Sequence, residues 1–196
     1  MAVYTKIISK DIHLINSNFN IDEIKSFQGI KKGIENTNYL LKTKNEMFIL
    51  TIFEKRVSNK EIPFFIKLMD DLNQSKISCP KPLKDKNRNF LFKLKNKTAC
   101  VVTFLKGKDK QILNTNNCYQ IGKIISKMHS ITKKLKFSRK NSMGIQNLNT
   151  LLKSIKFKAK KNSNLEKFLA QNLSNIKKSQ LKSLKTFQVK YFLLNF

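Results

Sequence analysis

The residues most able to do chemistry lie between positions 28 and 39, in the stretch Gln28-Gly29-Ile30-Lys31-Lys32-Gly33-Ile34-Glu35-Asn36-Thr37-Asn38-Tyr39. Gly29 and Gly33 lack a Cβ, so the backbone amides between them can turn toward a ligand unobstructed. Asn36 and Asn38 add short side chains that can donate to phosphate oxygens. A flap over nucleotide phosphates is built this way. The same spacing also fits a plain hairpin with glycine turns, and the block by itself leaves both readings open. Other reactive side chains are sparse. His13 reads as a surface helix residue, and His129 ends a helix with no carboxylate nearby to orient it as a base. Cys79, Cys100 and Cys118 are odd in number and lack metal-ligand spacing, which points to a reducing, cytoplasmic setting without a structural metal. Cys100, on an apolar run, reads as a small hydrophobe before a nucleophile.

The elements that must position these residues follow from apolar periodicity. Residues 11–18 predict a short helix with Ile12 and Ile15 on one side. Strands are predicted at 24–27, 38–43 and 47–54, with a glycine turn over 28–33 and a polar turn at 44–46. Residues 58–75 predict the clearest helix, with Ser58 as cap, Glu61 in capping-box spacing, and Ile62, Phe65, Ile66, Met69 and Leu72 on one face. Cys79-Pro80-Lys81-Pro82 is an extended breaker. Strands at 90–94 and 98–105 follow, joined by Lys95-Asn96-Lys97, with a turn over 85–89 before them. From residue 108 the pattern turns helical. Asn114 or Thr115 can cap a helix carrying Cys118, Ile121, Ile124, Ile125 and Met128 and ending near His129. Amphipathic helices are expected at 148–157 and 165–184. The fold class is therefore α+β, with a β-rich lobe over 1–107 and a helical segment over 108–196.

Composition bounds what such a chain can do. Of 196 residues, 40% are apolar, enough for a sizeable core. Lys+Arg is 40 against Asp+Glu 12, a formal charge of +28. All but Arg56, Arg88 and Arg139 of those cations are lysines, which lack the planar fork that reads guanine and clamps phosphate. The excess reads as solvated faces, not as a specific nucleic-acid surface; a nonspecific anionic-surface binder would instead show steep salt dependence. No apolar run has signal-peptide or membrane-span length.

Several blocks taken together resemble the homoserine kinase family, a branch of the aminoglycoside-phosphotransferase-like kinases. They are Met1-Ala2-Val3-Tyr4-Thr5, Phe27-Gln28-Gly29-Ile30 with Gly33, Glu35-Asn36-Thr37-Asn38-Tyr39, Phe48-Ile49-Leu50-Thr51-Ile52-Phe53-Glu54-Lys55-Arg56, Ile62-Pro63-Phe64-Phe65, Cys79-Pro80-Lys81-Pro82, Val101-Val102-Thr103-Phe104-Leu105-Lys106-Gly107, and Ile121-Gly122 with Met128-His129. They stand in the family's order over residues 1–130. The resemblance implies a protein-kinase-like N-lobe, an antiparallel sheet plus helix, followed by the start of a helical C-lobe. It implies ATP beneath the sheet, with Gly29, Gly33, Asn36, Thr37 and Asn38 in the phosphate flap. The segment Thr103, Phe104, Leu105 and Lys106 becomes the hinge facing the adenine edge, and Ile49 and Val102 become candidate apolar walls. Thr51 stands where related kinases carry a phosphate-pairing lysine. Lys55 or Arg56 could replace that charge, and Asp70 or Glu61 could pair with it.

The resemblance also implies an acceptor, homoserine, and magnesium. The family's His-x-Asp-x-x-x-x-Asn loop and later Asp have no match here. The last Asp is Asp109, the last His is His129, and residues 121–196 hold 18 basic side chains and one acid, Glu166. No catalytic residue and no metal ligand is therefore assigned, and a C-terminally truncated kinase with negligible turnover is expected. Two alternatives stand beside it: a non-catalytic nucleotide- or partner-binding lobe, and a kinase of the same fold acting on choline, ethanolamine or an aminoglycoside.

Overall fold

A computed structural model of the chain describes residues 3–31, 35–54, 58–107 and 110–139, with isolated positions beyond. The chain divides into two compact units, Met1–Arg139 and Lys140–Phe196, and every element described below lies in the first. In chain order these are α1 (Ser9–Asn18), β1 (Ser26–Gly29), β2 (Thr37–Lys42), β3 (Met47–Ile52), α2 (Ile62–Gln74), β4 (Phe92–Leu94), β5 (Lys97–Thr103) and α3 (Thr115–Thr132).

The strands form one antiparallel sheet in the order β1-β2-β3-β5-β4. Side chains alternate across its two faces as the pleat requires. One face carries Tyr39, Leu41, Phe48, Leu50, Ile52, Ala99 and Val101, which pack with Ile12 and Ile15 of α1 and with Phe19. Phe19 meets Phe92 edge-on at 5.3 Å between ring centres. Each fully buried Leu or Ile here contributes roughly 1.5–3 kcal/mol. The opposite face buries Cys100 and Val102 against Ile62 and Ile66 of α2, with Ile49, Phe53 and Met69 at the margin. The α+β architecture expected from periodicity is thus the one observed.

Differences from the expected elements have local causes. The α2 helix starts at Ile62, not at Ser58, and Ser58 does not cap it. The Glu61 amide instead donates to the Ser58 carbonyl in a turn (2.8 Å), and Pro63 falls in the first helical turn. A helix begun at Ser58 would place Pro63 in its interior, where the missing N–H and the ring both destabilise it. The fourth strand begins at Phe92 because Phe90 and Leu91 turn to pack beside α2. The fifth ends at Thr103, as the chain leaves the ladder before Leu105. In α3, Asn114 caps as expected: its Oδ1 accepts from the Asn117 amide at 2.9 Å, while Asn117 Oδ1 accepts from the Asn114 amide at 3.3 Å. The helix runs on to Thr132, and none of its residues is buried. Ile121, Ile124 and Ile125 stay exposed. The expected helices over 148–157 and 165–184 lie outside the described residues.

Candidate functional site

Cross-strand register lays two rows of side chains over the α2 face of the sheet. Leu40 pairs with Ile49, and Ile49 with Val102, giving an apolar row. One pleat period away, Asn38 pairs with Thr51, and Thr51 with Cys100. The Thr51 hydroxyl donates to Asn38 Oδ1 at 2.8 Å. Cys100 is buried, and desolvation pushes its thiol up to about 12, so it is neutral and unreactive at physiological pH. The polar row lies toward the β1–β2 connection, and the apolar row lies toward the end of β5.

At the polar end, the Ile30 amide donates to the Asn38 carbonyl at 2.8 Å, extending the β1–β2 hairpin past its ladder. Asn36 Oδ1 accepts from the Glu54 amide at 3.4 Å. Gly29 ends β1 opposite Tyr39. A Cβ built on Gly29 would come within 2.9 Å of Val3 Cγ2, so this glycine makes room for the N-terminal segment. Gly33, Lys55 and Arg56 lie outside the described residues. At the apolar end, Thr103 is tied to Lys81 twice. Its amide donates to the Lys81 carbonyl at 2.9 Å, and its Oγ1 accepts from the Lys81 amide at 2.9 Å. The Phe104 amide donates to the Met47 carbonyl at 3.1 Å. Leu105 is exposed, and its main chain makes none of the hydrogen bonds found among the described residues.

Thr37 corrects the expected site. The sequence places it in the phosphate flap, but its side chain is wholly buried on the α1 face of the sheet. Its hydroxyl accepts from the amides of Tyr4 (3.0 Å) and Thr5 (3.1 Å) and donates to Glu54 Oε1 (2.7 Å). The Thr5 hydroxyl also donates to Glu54 Oε1 (2.7 Å), and Lys97 pairs with Glu54 Oε2 while donating to Thr5 Oγ1 (2.7 Å). Burial alone would raise the Glu54 carboxyl. The hydrogen bonds from Lys97, Thr5 and Thr37, with the lysine's charge, outweigh it and hold the group below its ordinary value. Parity explains the misplacement: adjacent strand residues point to opposite faces, so Thr37 and Asn38 cannot both line one site.

Two side chains of this region escaped the sequence reading. Leu40 shares the face of Asn38 by simple alternation and was recoverable from that. Lys97 was not, because its partner stands 43 residues away. The carboxylates considered as lysine partners each have a partner among the described residues. Glu61 accepts from Arg139 Nε at 2.7 Å, and Asp70 accepts from Gln74 Nε2 at 2.8 Å. A groove of about 420 Å³ opens between Pro63, Ile66 and Asp70 of α2 and Asn89–Leu91. Among the described residues, no three His, Cys, Asp or Glu side chains converge as metal ligands.

This antiparallel sheet with its flanking helices has the architecture of the protein-kinase-like fold, and solved structures share it. A spectinomycin phosphotransferase, solved with ADP and spectinomycin, superposes with a TM-score of 0.65 at 15% identity, over 94% of this chain and 59% of its own. An aminoglycoside phosphotransferase from Alicyclobacillus acidocaldarius gives 0.59 at 8% identity, over 94% and 54%. The phosphotransferase enzyme family profile matches residues 26–182, and the chain belongs to that family. It is 35% identical over 151 residues to a homoserine kinase of Bartonella tribocorum, covering 77% of this chain and 47% of that one. Against a homoserine kinase of Rhodopseudomonas palustris it is 33% identical over 175 residues, or 89% and 54%. The chain spans about half the length of the curated relatives it matches.

Proposed function

We propose that this chain is the nucleotide-binding part of an ATP-dependent homoserine kinase, residues 1–107 forming the N-lobe and 108–196 beginning a helical C-lobe. The observation that carries the reading is the pair of rows. Leu40 and Ile49, both half-buried, offer an apolar surface for a purine, with Val102 buried next to Ile49 against α2, beside a polar step of Asn38 and Thr51 toward the glycine-bearing hairpin. The main chain of Leu105, which makes no hydrogen bond among the described residues, next to Thr103 and Phe104, suits the adenine edge. Amides near Gly29 and Asn36 suit the phosphates. Thr51 supplies no charge where related kinases use a lysine, so phosphate attraction would rest on hydrogen bonds, with Lys55 or Arg56 as the candidate charge. Homoserine is favoured as acceptor because identity to homoserine kinases reaches 37% where the spectinomycin enzyme gives 15%. Three free cysteines fit a cytoplasmic setting.

Titration calorimetry of the 196-residue chain with ADP and with ATP, with and without magnesium, tests the reading. Binding is expected, weakened at least about tenfold by Ile49→Arg, which puts a charged stem into the apolar row. No detectable binding would overturn it. A coupled assay for phosphohomoserine separates the alternatives. Turnover by the chain itself marks an active kinase, whereas binding without turnover fits a lobe lacking the His-x-Asp-x-x-x-x-Asn segment.

A further inference from the structure

The N-terminal segment, residues 3–8, lies across the end of the sheet and is fastened to four of its strands or their extensions. Val3 packs on Gly29 at the end of β1. The amides of Tyr4 and Thr5 donate to Thr37 Oγ1 in β2. The Ile7 amide donates to Tyr39 Oη at 3.3 Å, and that hydroxyl donates to the Thr5 carbonyl at 3.0 Å. The Thr5 hydroxyl reaches Glu54, just past β3, and receives Lys97 from the start of β5. These are tertiary bonds spanning 32 to 92 residues of sequence, made on the face opposite the two rows.

We propose that residues 3–8 are a strap that sets the base of the β1–β2 hairpin, with Thr5, Thr37, Glu54 and Lys97 acting as positioning residues for the nucleotide side of the sheet. The coupling has two routes. Thr37 and Asn38 are consecutive in β2, so clamping Thr37 from one face fixes the position from which Asn38 addresses the other. Glu54 works from both ends: its carboxylate holds Thr37 and Thr5, and its amide donates to Asn36. The strap therefore determines where Asn36, Asn38 and the Thr51–Asn38 bond stand without touching a ligand. The burial of the cluster makes it exacting, since removing one member leaves a charge or hydroxyl short of partners in a low-dielectric setting. Gly29 supports the same assignment, because the strap sits closer to β1 than a Cβ would permit.

The inference deepens the nucleotide-binding reading, and its test separates the two. Thr5→Val keeps the side chain's shape and removes its hydroxyl; Thr5→Ser restores it. Hydrogen exchange of the full chain is followed without nucleotide at the Gln28, Ile30 and Leu40 amides, with the Ile49 and Val101 amides as reference. Thr5→Val is expected to speed the hairpin amides about tenfold while the reference amides stay within about twofold, and Thr5→Ser to return the wild-type rates. ADP affinity should fall about tenfold in Thr5→Val and recover in Thr5→Ser. Gly29→Ala, which displaces Val3, should reproduce the Thr5→Val pattern. Unchanged hairpin exchange, equal acceleration of the reference amides, failure of serine to restore, or a loosened hairpin with unchanged ADP affinity would each overturn the strap. If wild type binds no ADP, the nucleotide reading falls and the strap stands or falls on the exchange rates alone.

Discussion

Glu54 concentrates the residue-scale physics of this fold. Its side chain is 11% exposed and faces Lys97, Thr5 and Thr37, which favour its ionised form over the protonated one. A carboxyl held below its unfolded value near 4.5 stabilises the native state above that pH, and the contribution disappears as pH falls through the folded value. Glu54→Gln should therefore cost about 2–4 kcal/mol at pH 7, by analogy with broken buried pairs, and much less near pH 3. Urea denaturation of both proteins at the two pH values checks this, and a gap that persists undiminished in acid would refute it. The Asn38–Thr51 pair was legible beforehand because both positions follow from strand alternation once β2 and β3 are placed. The burial of Thr37 was not, because which face of β2 receives α1 is settled by packing of Ile12, Ile15 and Phe19, all outside the strand.

Elements tell a similar story through their ends. The β4–β5 connection is a two-residue turn, with Lys95 at φ 50° and Asn96 at φ 61°, opposite the closing pair Leu94–Lys97. Left-handed backbone at both positions marks the type I′ hairpin, which glycine adopts without steric cost. Asn96→Gly is expected to stabilise the protein by about 0.5 kcal/mol, read as a raised urea midpoint with an unchanged slope. Lys95 is a poorer site for the same change, because its Nζ lies 3.2 Å from Asp11 Oδ2, where Asp11 also accepts from the Ile8 amide at the start of α1. Helix positions were legible from apolar spacing; helix starts were less so. Proline chemistry at Pro63, not capping chemistry at Ser58, determines where α2 begins.

At the scale of the whole molecule, charge dominates. A formal net charge of +28 on 196 residues repels itself in the compact state. Among the described residues the ion pairs are few, and that of Lys25 with Glu23 is largely solvent-exposed. Raising salt from about 20 to about 200 mM shortens the screening length from roughly 20 to 7 Å and should raise the melting temperature. A melting temperature that falls over that range would mean that attractive pairs outweigh the repulsion. The exposed Ile121, Ile124 and Ile125 on α3 add a second whole-molecule feature, since spacing announced an apolar face but could not say what, if anything, lies against it.

From the order of its residues alone, this chain determined the alternation that builds five strands, the apolar stripe of α2, the Asn114 cap, and the glycine-bearing hairpin whose neighbours resemble kinases. Such features are encoded within a few residues by pleat, helical period and backbone freedom. Tertiary structure alone decided that Thr37 belongs to a buried carboxylate cluster, that Lys97 completes it, and that Gly29 accommodates Val3. Those outcomes depend on contacts between segments far apart in sequence, where the partner is selected by the packing of the whole sheet and no local pattern records it.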